Sequence, residues 1–85
     1  MAEYKIFFRK SVKKDLFRIP EKDLNRILKK IKSLALDPRP AECEKLSGQE
    51  KYRIRQGNYR IIYSIQDYEL TVWIVKVGHR REVYR

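Results

Sequence analysis

The chain contains 85 residues, a length that predicts one domain over residues 1–85 with a single hydrophobic core. Hydrophobic residues make up 42% of it and charged residues 38%, which indicates a globular protein and excludes a disordered one. The formal net charge of +10 predicts a polyanionic partner, first nucleic acid and then an acidic protein. The sequence has neither a long apolar run nor a signal peptide, so we expect a cytoplasmic location and no membrane partner.

Cysteine and histidine each occur once, as Cys43 and His79. A single thiol and a single imidazole cannot assemble a disulfide or a cysteine-based zinc site within one chain. We therefore expect a mechanism that needs no metal and no other cofactor.

The first part of the chain predicts a strand and a helix. Aromatic residues and isoleucine favour a short strand over residues 4 to 9. Ser11 then offers an N-cap for a helix that begins at about Val12. Pro20 ends this helix and suits the first position of a second one.

The second helix has the clearest periodicity in the sequence. Pro38 ends it, because the residue before a proline disfavours helical backbone, and residues 38 to 51 have loop character. The two helices are expected to form an αα-hairpin. The apolar residues of the second helix follow the spacing of an amphipathic helix: Leu24, Ile27, Leu28, Ile31, Leu34 and Ala35.

The remainder of the chain predicts an antiparallel meander. Three runs rich in Ile, Val, Tyr and Trp cover residues 52 to 56, 59 to 66 and 69 to 77. The spacers between them, Gly57-Asn58 and Asp67-Tyr68, suit two-residue hairpin loops. Counting outward from these loops predicts that Arg55 lies opposite Arg60 and that Ile62 lies opposite Trp73.

Because side chains alternate along a strand, the meander has two different faces. We call the first the core face; it carries Tyr52, Ile54, Ile61, Tyr63, Ile65, Leu70, Val72 and Ile74. We call the second the arginine face; it carries Arg53, Arg55, Arg60, Ile62, Ser64, Thr71, Trp73 and Val75. The predicted fold is α+β, in the order β-α-α-β-β-β, with the helical hairpin on the core face and the arginine face open.

The arginine face gathers Arg53, Arg55 and Arg60 at one end of the meander. Like charges directly across a strand pair are destabilising, and a bound anion would remove that penalty. The alternative is that these long side chains extend into water and interact little. Both interpretations remain open at this point. Lys45 and Lys51 precede the meander and extend the same positive surface in the first interpretation.

One candidate for the bound anion is an RNA phosphate. Strand scission by the neighbouring 2'-hydroxyl needs a proton acceptor, cations for the developing charge, and a proton donor for the leaving oxygen. Guanidinium groups bind phosphate oxygens well, but they are always charged and are poor proton acceptors. His79, beside Arg80 and Arg81, is therefore the candidate general acid or base, with a plain surface imidazole as the alternative.

Two aromatic residues have a place in the same hypothesis. Tyr84 is suited to stacking on a base of single-stranded RNA, or to closing the edge of the core. Trp73 shares the arginine face and is suited either to base stacking or to covering the sheet.

The order of strand, two helices and meander, with the segments EKLSGQEKYRIRQGNYRIIY and VWIVKVGHRREVY, resembles the RelE/ParE toxin superfamily. The RelE-type branch is the most similar, and the resemblance covers essentially the whole chain. It implies a toxin of a type II toxin-antitoxin pair that cuts mRNA in the ribosomal A site without metal. It also implies a RelB-like antitoxin that covers the basic surface, with operator DNA bound only through the toxin-antitoxin complex.

The resemblance also implies roles for individual residues. Arg53 and Arg55 match two basic positions, one of them implicated in activating the 2'-hydroxyl. Arg60 matches an arginine that contacts phosphate, and Arg80 matches one proposed to assist the leaving group. Tyr84 matches a tyrosine that stacks on the substrate base.

This chain departs from the family pattern in one respect, because it has arginine at positions 53 and 55 where lysine is frequent. That shifts the role of proton acceptor to His79, which resembles the histidine of other RelE-like branches, or to ribosomal groups. Two alternatives to the nuclease remain open: a ParE-like inhibitor of DNA gyrase, and a non-catalytic protein that serves only the antitoxin complex and its operator.

Overall fold

The structure, a computed structural model, describes residues 3–48 and 50–79. Within them two helices and five strands form an α+β fold, as predicted. In chain order they are β1 (Lys5–Phe8), α1 (Lys10–Phe17), α2 (Glu21–Ser33), β2 (Glu44–Lys45), β3 (Tyr52–Gln56), β4 (Tyr59–Gln66) and β5 (Thr71–His79). None of the described helices is long and apolar enough to cross a membrane.

The strands form one sheet in the order β1-β5-β4-β3-β2. Strands β3, β4 and β5 are the predicted antiparallel meander. Strand β1 pairs with β5 in the parallel direction, which local periodicity did not determine. Strand β2 pairs with β3 at the opposite edge and lies within the segment that was predicted to be a loop.

Both helix starts differ from the prediction. The N–H of Arg9 donates to the carbonyl of Ile74 (3.1 Å), so pairing with β5 keeps Arg9 extended and α1 begins directly after it, at Lys10. Ser11 therefore lies inside α1 and is not its N-cap. Pro20 is the N-cap residue of α2 rather than its first helical residue.

The hydrophobic core lies between the two helices and the core face of the sheet. Burial of this apolar surface is the main favourable contribution to folding. Leu70 is the exception to the predicted core face, because it is exposed in a left-handed turn conformation (φ 49°). The core consists of Val12, Ile19, Ile27, Ile31, Leu34, Ile54, Ile61, Tyr63, Val72, Ile74 and Val77.

The second connection of the meander differs from the predicted two-residue loop. It is a 3₁₀ turn over Asp67–Glu69, and Trp73 consequently lies opposite Ser64 rather than Ile62. The register shifts again beyond this pair, so that Arg60 lies opposite Gly78. The first shift, which changes the partner of Trp73 from Ile62 to Ser64, is two residues. Because side chains alternate between faces with a period of two, Trp73 stays on the arginine face.

A polar cluster joins the loop after α2 to the end of the sheet. Both terminal nitrogens of Arg39 donate to the Asp67 carboxylate (3.1 and 2.9 Å), and its Nε donates to the Tyr52 hydroxyl (3.1 Å). The Tyr4 hydroxyl also donates to Asp67 (2.8 Å). The hydrogen bonds from Arg39 and then from Tyr4 lower the pKa of the Asp67 carboxyl. The cluster connects four segments that are far apart in sequence.

Candidate functional site: the arginine face

The turn between β3 and β4 places two arginines side by side. Gly57 adopts a left-handed conformation (φ 60°), which glycine tolerates without the steric cost of a side chain. The hairpin pairs Gln56 with Tyr59, and the next pair is Arg55 with Arg60, as predicted. Two guanidinium side chains are thus neighbours on the side of the sheet away from the helices.

Arg53 extends the arginine face by one further pair. It lies opposite Ile62, and on its other side it pairs with Glu44 of β2. The Glu44 carboxylate accepts a hydrogen bond from Arg53 Nη2 at 2.5 Å. No acidic residue was predicted on this face, because a two-residue strand has no periodicity to reveal it. Arg53 is therefore both positively charged and held in place by a carboxylate.

The three arginines differ in exposure, which corrects the expectation of a uniformly open face. Arg55 is exposed, whereas the Arg53 side chain retains 12% of its accessible surface and Arg60 only 7%. Arg60 belongs to β4, the central strand of the sheet, and its Nε and Nη1 atoms are buried. Because screening by water is weak around such a group, a buried guanidinium attracts a bound anion more strongly than an exposed one.

His79 is the last residue of β5 and lies close to the arginines. Its ring, however, lies on the other side of the sheet from their guanidinium groups. It pairs with Tyr59, and the two rings meet edge to face with centroids 5.7 Å apart. Tyr59 alternates with Arg60 and packs against the core. His79 also borders a hollow formed with Asp15 and Arg18. The described structure therefore does not bring the imidazole onto the arginine face.

Trp73 lies on the arginine face, as predicted, two strands away from Arg53. Its ring stacks on that of Phe7 in β1, with centroids 5.1 Å apart and an angle of 27° between the planes. Phe7 was not among the predicted site residues, because parallel pairing between the first and last strands leaves no local signal in the sequence.

The remaining predicted site residues divide into two groups. Lys45 is exposed on the edge strand β2, and Lys51 is half-buried just before β3. Lys45 pairs with Tyr52 of the core face and its ammonium group lies 3.9 Å from the Glu50 carboxylate, so it does not extend the arginine face as expected. Arg80, Arg81 and Tyr84 lie outside the described residues, so the roles expected for them remain predictions.

The arginine face combines the groups that a phosphate diester requires. Guanidinium groups form paired, charge-assisted hydrogen bonds with phosphate oxygens. Arg60 is positioned on the central strand, and Arg55 beside it remains accessible. Glu44, held by Arg53, supplies a carboxylate on the same face. This arrangement is suited to binding a phosphate group and to stabilising additional negative charge on it.

Comparison with known proteins gives a consistent result. The model of the family described as "ParE toxin of type II toxin-antitoxin system, parDE" matches residues 6–84. Toxin RelG of Mycobacterium tuberculosis is 31% identical over 87 residues, which cover 96% of this chain and 97% of that protein.

Two solved structures show the same fold at similar levels of identity. The toxin-antitoxin complex RelBE2 of M. tuberculosis contains a chain that is 27% identical, with a TM-score of 0.85 and coverage of 96% of this chain and 97% of that one. The archaeal RelE-RelB complex of Pyrococcus horikoshii contains one that is 31% identical, with a TM-score of 0.84 and coverage of 95% and 99%. The chain therefore belongs to the RelE/ParE superfamily and is a toxin of a type II toxin-antitoxin system.

Proposed function

We propose that this toxin is a ribosome-dependent endoribonuclease that cuts mRNA in the A site without a metal ion and thereby stops translation and growth. The 2'-hydroxyl of one nucleotide attacks the adjacent phosphate, which becomes pentavalent, and the 5'-oxygen of the next nucleotide leaves. The observation that carries the proposal is the position of Arg53, Arg55 and Arg60 together on the face that the helices leave uncovered. The similarity to RelE and RelG proteins supports it.

The arginines have different electrostatic roles in this mechanism. Arg60 binds the phosphate that is attacked, because its buried guanidinium group acts in an environment of low polarity. Arg55, directly opposite and exposed, approaches the same phosphate from the solvent side. The family resemblance assigns Arg80 to the leaving oxygen and Tyr84 to stacking on the base.

Two residues of the described chain are candidates for the proton acceptor. Glu44 lies on the arginine face and is held there by Arg53. His79 lies one residue beyond Gly78, the partner of Arg60, and its ring packs against Tyr59. Glu44→Gln and His79→Gln distinguish them, because removal of the true acceptor changes the dependence of the cutting rate on pH, whereas the other variant retains it.

The proposed partner is a RelB-type antitoxin. The solved complexes from P. horikoshii and M. tuberculosis each contain the toxin together with such a protein. A net charge of +10 favours an acidic segment of the antitoxin, which would cover the arginine face and so block mRNA. Operator DNA is then contacted through the toxin-antitoxin complex.

The decisive experiment is a toeprint of translating ribosomes with and without the protein. We expect cuts in the A-site codon that fall by about 100-fold or more in Arg60→Ala, the scale seen when one oxyanion-stabilising group is removed. Arg26→Ala is the matched control, because it removes the same charge from an exposed position on α2 and should cut normally. Normal cutting by Arg60→Ala would contradict the assigned role.

A second function has one observation in its favour, because the matching family model is named for ParE. A gyrase inhibitor would leave mRNA intact and accumulate DNA cleavage complexes in expressing cells. A protein that only binds antitoxin would cause no growth arrest at all. Toeprints, gyrase cleavage complexes and growth curves measured on the same strain therefore separate the three functions.

A further inference from the structure

The rings of Phe7 and Trp73 form an exposed aromatic pair outside the arginine cluster. They retain 42% and 37% of their accessible surface. Both lie on the arginine face, because Trp73 is directly opposite Ser64 and Phe7 pairs with Trp73. Aromatic side chains that are needed only for the core would be buried against the helices, so the location of this pair requires another explanation.

Trp73 has an aromatic neighbour on one side and a small polar neighbour on the other. Phe7 covers one face of the indole, and the stacked rings stand side by side across neighbouring strands. On its other side Trp73 pairs with Ser64 of β4, whose side chain is small. The amide of Gln66 donates to the Ser64 hydroxyl (3.4 Å), so the floor beside the indole is polar. We call the surface formed by Phe7, Trp73, Ser64 and Gln66 the slot; it has an aromatic part and a polar part.

The slot is continuous with the arginine face. Ser64 and Arg60 are four residues apart on β4, which corresponds to about 13 Å along the strand. One lysine lies beside the aromatic pair and another lies across the sheet: Lys5 is two residues before Phe7 on β1, and Lys51 directly precedes β3, the strand that pairs with β4. An extended nucleotide strand bound at Arg60 thus has a positively charged path to the slot.

We infer that the Phe7–Trp73 pair is a stacking platform for an unpaired base of the RNA strand whose phosphate binds Arg60. This inference rests on the proposed function, and it adds a base-binding site on the same arginine face, on strands β1 and β5. A base fits the slot better than a protein side chain does, because its flat ring stacks on the indole while its polar edge reaches Ser64 and Gln66. Lys5, beside the aromatic pair, favours a phosphate next to that base.

Trp73 is the only tryptophan of the chain, so its fluorescence reports on this site alone. A short single-stranded oligoribonucleotide is titrated into the full-length protein at low salt, and indole emission is recorded together with the anisotropy of a label on the RNA. We expect the emission to be quenched as the RNA binds. An abasic strand of the same length and charge should bind more weakly and should not quench. Absence of binding, or binding of RNA without quenching, would overturn the inference.

Variants provide the second arm of the experiment. Trp73→Leu and Phe7→Leu should each weaken RNA binding by about 10-fold or more, the scale of one lost stacking contact. Phe17→Leu is the matched control, because Phe17 is 91% exposed on α1 and should leave binding unchanged. Thermal melts confirm that each variant is folded. Wild-type affinity in both Trp73→Leu and Phe7→Leu would overturn the inference.

The test of the stacking platform and the test of the proposed nuclease can fail independently of each other. Quenching without A-site cutting would retain the platform and contradict the nuclease. Cutting without quenching would retain the nuclease and contradict the platform. Quenching by an acidic helical peptide but not by RNA would identify the aromatic pair as a protein-docking surface and would also overturn the inference.

Discussion

The two faces of the sheet are built from the same strands and have opposite properties. Ile61 and Arg60 are adjacent in sequence, yet Ile61 is completely buried beneath the helices and Arg60 lies on the opposite side. The core face carries aliphatic side chains and the buried Tyr63, whereas the arginine face carries cations and an exposed aromatic pair. Because the core face supplies the apolar burial that stabilises the fold, the arginine face is available for binding. Substitutions on the two faces should therefore have separate effects.

The largest effect on stability is expected on the core face. Ile27→Ala removes a fully buried side chain of α2 and should lower the free energy of unfolding by about 2–5 kcal/mol, through lost burial and a residual cavity. Leu28→Ala is the matched control, because Leu28 is partly exposed and should cost clearly less. Urea denaturation measures both. Equal losses would contradict the division between a buried and an accessible side of α2.

A smaller effect on stability is expected at Gly57, in the turn that sets the pairing of β3 with β4. Gly57 has a φ of 60°, and a Cβ atom added there would meet no atom of a non-neighbouring residue within 4 Å, so Gly57→Ala introduces backbone strain without a clash. The expected loss of unfolding free energy is about 1 kcal/mol. Gly57→Asn should lose less, because asparagine tolerates this conformation better than alanine. Equal stability of alanine and asparagine variants in thermal melts would contradict this explanation.

The smallest effect is expected at the Arg39–Asp67 cluster, which lies at the end of the sheet. Because the pKa of the Asp67 carboxyl is lowered in the folded chain, first by Arg39 and then by Tyr4, its ionised form stabilises the fold. This stabilisation is present above the unfolded pKa of about 3.9 and is lost as the pH falls through the lower folded value. The stability difference between wild type and Asp67→Asn in urea should therefore shrink on acidification. A stability difference that is constant with pH would contradict the stabilising role of the ionised Asp67 carboxylate.

The contrast between the two meander turns explains how much of the fold was predictable. Gly57 and Asn58 form a two-residue loop, so counting from it gave the correct pairing of Arg55 with Arg60. The turn over Asp67–Glu69 is longer than the spacing indicated, and the irregularity between Ile62 and Tyr63 shifted the later pairs further. Apart from Leu70, the sheet faces were nevertheless predicted correctly up to Ile74, because alternation tolerates a shift of two.

The parts of the site that were not predictable depend on contacts between distant segments. Phe7 meets Trp73 through parallel pairing of β1 with β5, and Glu44 meets Arg53 through a strand of two residues. Neither pairing has a periodic signal in the sequence. The burial of Arg60, on the central strand, is likewise not revealed by composition and charge.

The most direct test of the account compares Arg60→Ala with Ile61→Val, adjacent changes on opposite faces, in a ribosome cutting assay with unfolding measured in parallel. We predict that Ile61→Val lowers the unfolding free energy by about 0.5–1.5 kcal/mol and still cuts mRNA in the A site. Arg60→Ala should remain folded and lose about 100-fold or more of the cutting rate. Cutting by folded Arg60→Ala at the wild-type rate would contradict the claim that the arginine face is the catalytic surface.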